Sequence, residues 1–315
     1  MALDAKIIIQ DIGSVGPTTA CGGADGDVLA YIPDSYDDLF GPAYSNGSRI
    51  HSNSWGSGSR TYGGTASGAD SRANSAPERM VVMAAGNDRP GPNTVSGEAL
   101  LKNGLSVGAG QNYRPEQFES DNPNLVAGFS GRGGPLESGG RLKPDLIAIG
   151  TSVVSLMARG EYLSTGFTPG ADLITWVDKY CSVAQNYCAA GDNYADYRYL
   201  QGTSMAAPHA AGAAILVREY LREIAAGNLP ASPYFNPPSY LVKAMLVNGA
   251  VRMDPLLYDY PGYDQGWGRI DLEQSLFPPV PRTNQFAIGE FATTGTWTPA
   301  GMNLNIVGGT VPLKV

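Results

Sequence analysis

The chain has 315 residues, 43% of them hydrophobic and 16% charged, a composition that supports one large globular domain or two ordinary ones. Twenty-one Lys and Arg against 29 Asp and Glu leave a net charge of -8, which argues against nucleic acid as a partner because phosphate binding needs a basic face. The longest apolar run falls well short of the roughly 20 residues that cross a bilayer, and the first residues lack the basic start and long apolar middle of a secretory signal, so neither a membrane span nor a targeting segment is expected.

The run AKIIIQD at 5–11 reads as a buried strand, so the chain is expected to begin inside a domain. A helix is expected over 34–46, a strand over 49–55, a helix over 67–78 and strands over 79–86 and 105–110. Strand and helix alternating at this spacing predict parallel strands joined by crossover helices. RMVVMAAG is apolar almost throughout, as a strand covered on both faces must be. Shorter strands and turns are expected at FSGRG, KPDLIAIG and SVVSLM, followed by a polar, Tyr-rich insertion. There Cys181 and Cys188 either close a small surface loop, which would indicate an oxidising compartment, or are two unrelated thiols; spacing does not decide between them. Cys21 is left over. Two helices come next, from Ser204 to about Ala226 and from Ser239 onward. After PPVP the helical period disappears, and residues 279–315 are expected to be a linker and the first strands of an all-β domain, with 1–278 as the domain before it.

The string GTSMAAPHAAG at 202–212 sets Ser204 at the mouth of the long helix. It is one residue away from the G-x-S-x-G elbow, whose serine needs a histidine far downstream. The histidine that follows Ser204 is His209, turned by about 140° and displaced by about 7.5 Å along the helix. It cannot reach the serine hydroxyl, and the elbow reading fails.

The same string resembles the nucleophile motif of the subtilisin-like serine proteases. Three more motifs extend the resemblance in the same order: NSWG at 53–56, AAGN at 84–87 and KPDLIAIG at 143–150. It covers roughly residues 4–278, and RIHSNSWG with the appended β region points to the alkaline-protease branch that carries a C-terminal β-sandwich. The resemblance implies an α/β fold of three layers with a central parallel sheet, and a secreted endopeptidase that cleaves proteins or peptides through an acyl-enzyme. By the same resemblance Ser204 is the nucleophile, and Asn87 with the Ser204 N–H holds the oxyanion. Ser54, Trp55 and Gly56 would line one side of the first specificity pocket and Ala84, Ala85 and Gly86 the other.

These assignments make physical sense. A serine at a helix N-terminus has an unpaired N–H, and the positive end of the helix dipole favours a developing oxyanion. Asn87 closes a buried strand after two alanines and a glycine, so little bulk surrounds its amide. No cofactor is expected in the chemistry. Structural calcium is a family trait, and 119–124 and 192–196 carry oxygen-bearing side chains, yet neither shows a complete ligand pattern and an acidic loop is the simpler reading.

The family's acid and base stand in D-T/S-G and H-G-T-H motifs, and neither string occurs in this chain. Asp11 is followed by Ile12 and Gly13 and is not taken as the acid. His51 lies three residues before Ser54, roughly 10 Å back along a strand, and reads as a core or interface histidine. The expectation is therefore a catalytic domain lacking its N-terminal part and inactive by itself. The rival reading is a non-catalytic relative that binds peptides or partners, although such a relative would be expected to have lost Ser204 or Asn87 as well, and both are present.

Overall fold

The computed structural model describes residues 2, 4–10, 14–15, 27–28, 32–33, 36–88, 90–115, 120–134, 141–156, 197–228 and 236–278. The cysteines, Asp11, the loop 192–196 and the β region 279–315 lie outside the described residues.

The strands are β1 (Ser14–Val15), β2 (Asp27–Val28), β3 (Ile50–Asn53), β4 (Met80–Ala84), β5 (Leu105–Gly110), β6 (Leu146–Ile149), β7 (Val153–Leu156) and β8 (Tyr197–Leu200). The helices are α1 (Tyr36–Ser45), α2 (Gly64–Ser75), α3 (Thr203–Asn228), α4 (Ser239–Gly249) and α5 (Leu272–Leu276), with a short 3₁₀ helix at Gly97–Leu100. The central sheet runs β3-β4-β5-β6, parallel throughout.

Strand β4 explains the layering. Its five residues are all buried, and successive side chains alternate between faces. Met80, Val82 and Ala84 join a core with Leu105, Val107 and the apolar faces of α3 and α4. Val81 and Met83, with Ala85 beyond the strand, join a second core with Leu39 and Phe40 of α1 and Ala66 and Ala69 of α2. The sheet is thus sandwiched between two helical layers, as the resemblance implies. Helix α3 faces the sheet with Ala206, Ala207, Ala210, Ala214, Val217 and Leu221, and the run of alanines lets its backbone lie close to the strands.

Three local expectations changed. Residues 5–10 do not form a strand: Ile7 and Ile9 are 83% and 85% exposed, because β propensity makes a strand only when a neighbour closes the ladder. Helix α2 begins three residues earlier than expected, since burial of Ala66 and Ala69 outweighs the Gly63–Gly64 turn signal. Strand β8 was missed because its antiparallel partner β7 is distant in sequence.

Candidate active site

Four segments meet at the carboxyl ends of the parallel strands. Strand β6 runs into Gly150, whose carbonyl accepts the Gly202 N–H at 2.8 Å and so holds the start of α3. A Cβ on Gly150 would lie 2.9 Å from Gly202 O, so the close approach requires glycine here. Thr203, 1% exposed, then ties α3 to the end of β4. Its N–H and its hydroxyl donate to Asn87 Oδ1 at 2.9 and 3.0 Å, while the hydroxyl accepts the Gly86 N–H at 3.1 Å. Gly86 has φ +103°, a conformation that side chains rarely adopt, and this turns the chain so that Asn87 faces the helix.

With Asn87 Oδ1 accepting two hydrogen bonds from Thr203, Asn87 Nδ2 has no partner among the described residues. Asn87 Nδ2 and the Ser204 N both border the space beside Gly202: the place a Cβ on Gly202 would occupy is 3.4 Å from Asn87 Nδ2, 3.6 Å from Ser204 N and 3.7 Å from Met205 Sδ. The first-turn amides of Met205 and Ala206 both turn back to Gly202 O, leaving the Ser204 N–H free at the positive end of α3. Two nitrogen donors thus border one space at the start of α3.

The Ser204 hydroxyl donates to the main-chain carbonyl of Ser54 at 3.0 Å. Ser54 is exposed just past β3, Trp55 is half-buried against the α1–α2 core, and Gly56 is exposed. Ala84 and Ala85 are buried and Gly86 half-buried. Ser96 lies between these two segments: a Cβ on Gly56 would be 3.0 Å from Ser96 Oγ, and one on Gly86 would be 3.6 Å from Ser96 Cβ. Its hydroxyl is buried without a partner among the described residues. Beside it the Glu98 carboxylate accepts the Ser57 N–H and hydroxyl at 3.1 and 2.6 Å. Thr203 stood inside the GTSMAAPHAAG string without an assigned role, and Ser96 and Glu98 carried no mark in the sequence.

Neither histidine meets Ser204. His209 Nδ1 faces two carbonyls, Met205 O at 2.9 Å and Ile149 O at 3.0 Å, which requires the proton on that nitrogen. His51 sits on β3 opposite Val81, its ring edge-on to Phe40 at 4.9 Å and its Nε2 2.8 Å from Gln10 Oε1. Burial, reinforced by the nearby charge of Arg79, holds the ring below the ordinary histidine pKa. His51 is thus packed against the α1 side of the sheet, while His209 is an exposed histidine held to main-chain carbonyls.

No group of three or more His, Cys, Asp or Glu among the described residues is placed to hold a metal ion. In the stretch that begins at Ser120, Ser120 Oγ hydrogen-bonds with Thr151 and Ser152, and Asn122 Oδ1 accepts the Asn124 N–H. No described helix is long and apolar enough to cross a membrane.

Residues 1–268 match the sequence profile of the subtilase family, peptidase family S8. The chain is a subtilase. It is 24% identical over 383 residues to the serine protease/ABC transporter B family protein tagB of Dictyostelium discoideum, an alignment covering 92% of this chain and 18% of that protein. It is 28% identical over 200 residues to the serine protease AprX of Bacillus subtilis (strain 168), covering 62% of this chain and 35% of AprX. The subtilase thus spans well under half the length of either relative. Among solved structures it is similar in fold to a lanthipeptide protease, with TM-score 0.50 and 21% identity over 77% of this chain and 66% of that one. The patellamide maturation protease PatA gives TM-score 0.50 and 18% identity, covering 77% and 68%. These likenesses establish the fold, a central parallel sheet with flanking helices. The family is one of serine peptidases.

Proposed function

We propose that this subtilase contributes the nucleophile and oxyanion site of a secreted serine endopeptidase acting on proteins or peptides. The supporting observation is that Asn87 Nδ2 and the Ser204 N border the same space beside Gly202, with Asn87 Oδ1 held by two hydrogen bonds from Thr203. In the reaction the Ser204 oxygen attacks the scissile carbonyl as a base removes its proton, and the two donors stabilise the charge that moves onto the carbonyl oxygen. The C–N bond then breaks, the amine leaves with the proton, and water hydrolyses the acyl-enzyme. The substrate strand would lie between Ser54–Gly56 on one side and Ala84–Gly86 on the other.

The base is the missing part. Both histidines of the chain are committed elsewhere, so the base and its carboxylate are proposed to come from polypeptide outside these 315 residues. In subtilisin, the family's type enzyme, loss of serine or base lowers turnover by about 2 × 10⁶. The chain alone is expected to show no useful caseinolysis and no fast labelling by a serine-reactive fluorophosphonate. Adding a family N-terminal piece that carries D-T/S-G and H-G-T-H, fused or separate, is expected to restore both at Ser204.

The competing role, a peptide-binding relative, draws support from the Ser204 hydroxyl donating to Ser54 O instead of to a base. Docking of the added N-terminal piece with neither caseinolysis nor labelling at Ser204 would favour it. Fast labelling by the chain alone would refute the proposal that the base lies elsewhere.

A further inference from the structure

Helix α3 carries Pro208 within it. In a regular α-helix the N–H of residue 208 would close on the carbonyl of residue 204. Proline has no N–H, and its ring crowds the carbonyl four residues back. The main-chain oxygen of Ser204 therefore loses its ordinary helical partner, and it is met from outside: Ser54 Oγ donates to it at 2.8 Å. In return the Ser204 hydroxyl donates to Ser54 O at 3.0 Å. One bond uses the side chain of Ser54 and the main chain of Ser204; the other uses the reverse pair. Each can be removed without touching the other.

The platform under Ser54 is rigid. Asn53, 1% exposed, donates from Nδ2 to His51 O and to Val82 O, both at 3.1 Å, pinning the end of β3 to β4. Ser54 follows directly, so its hydroxyl reaches α3 from a fixed base.

We propose that Ser54 is a positioning residue: its hydroxyl replaces the hydrogen bond that Pro208 withholds from Ser204 and clamps the first turn of α3 to the end of β3. Holding Ser204 O fixes the peptide that follows the serine, so the serine and the strand end expected to bind substrate keep one relative placement. The clamp deepens the protease reading, and rests on it for the statement that the residue held is the nucleophile.

Backbone amide exchange in the chain as it stands tests the clamp without requiring activity. Ser54→Ala is expected to speed exchange of the Met205 and Ala206 amides, which bond to Gly202 O in the first turn, about fivefold. Amides of β4 and β5 such as Val82 and Val107 should change less than about twofold. Ser54→Thr keeps the hydroxyl and should keep the wild-type rates. Pro208→Ala supplies an N–H to Ser204 O, so adding Ser54→Ala in that background should no longer speed the first turn. Unchanged first-turn rates in Ser54→Ala, a uniform acceleration through helix and sheet, or a fivefold effect that persists with Pro208→Ala would each overturn the clamp. Phosphonate labelling reports on the nucleophile separately, so failure of either reading is seen without the other.

Discussion

Substituting Asp145 by Asn should be among the most damaging conservative changes in this subtilase. Asp145 belongs to the KPD turn that feeds β6 and, through Gly150, the start of α3. Its Oδ2 accepts Lys143 Nζ and the Ser106 N–H, each at 2.7 Å, and its Oδ1 accepts Lys243 Nζ at 2.9 Å. The Lys143 side chain is 2% exposed and that of Asp145 8%. Burial, opposed by the attraction of Asp145, pulls the Lys143 ammonium down to about 8. Burial alone would raise the Asp145 carboxyl, but the ammonium groups of Lys143 and Lys243 outweigh it and hold it below the ordinary value of 3.8. Asp145→Asn keeps the shape and removes the charge, stranding a buried ammonium, and breaking such a pair costs about 3–5 kcal/mol. Against a total stability of roughly 5–15 kcal/mol this is a large share. Urea unfolding at pH 7, followed by tryptophan fluorescence, measures it. Adding Lys143→Met removes the stranded charge and should recover part of the loss. A group with a depressed carboxylate pKa contributes stability above its unfolded pKa and loses it as pH falls through the folded one. The gap between wild type and Asp145→Asn should therefore narrow below pH about 4. A loss under about 1 kcal/mol at pH 7, or a double variant weaker than the single, would refute this account of the network.

Thr203→Val should destabilise by about 1–3 kcal/mol, because it leaves the half-buried Gly86 N–H without its Thr203 acceptor and removes one of the two bonds on Asn87 Oδ1; Thr203→Ser should behave as wild type in the same urea assay. The His51 ring should titrate below 6.5 by proton NMR, since burial favours its neutral form. The sign follows: its contribution is complete above the unfolded pKa and declines as pH falls from 6.5 through the folded pKa. A midpoint at or above 6.5 would contradict the buried placement.

Much of this molecule was legible in the chain because the signals are local. Strand β5 falls over the expected residues 105–110, and α3 and α4 begin within one residue of expectation, since apolar periodicity and capping depend on near neighbours. The motifs GTSMAAPH, AAGN and NSWG were visible for the same reason: each is a short run whose turn chemistry is written in its own residues. The failures have one cause. Ile7, Ile8 and Ile9 have the composition of a strand, yet a strand exists only where another supplies the ladder. Strand β8 waited on β7, and Ser96 and Glu98 matter only because Gly56 and Gly86 close around them.

The sequence by itself determined the alternation of strands and helices, the position of Ser204 at a helix mouth, and the separation of both histidines from it along helix and strand, since two histidines can be counted and their distances computed. Tertiary structure alone decided which atoms those residues present to one another. Thr203 turns the Asn87 amide so that Nδ2 faces the space beside Gly202, and Ser54 takes up the carbonyl that Pro208 leaves unbonded. Propensity and periodicity act through the backbone over a few residues. A hydrogen bond between Ser54 and Ser204, 150 positions apart, depends on the packing of β3, β4 and α3 into adjacent layers, and only the folded chain brings those atoms within 3 Å.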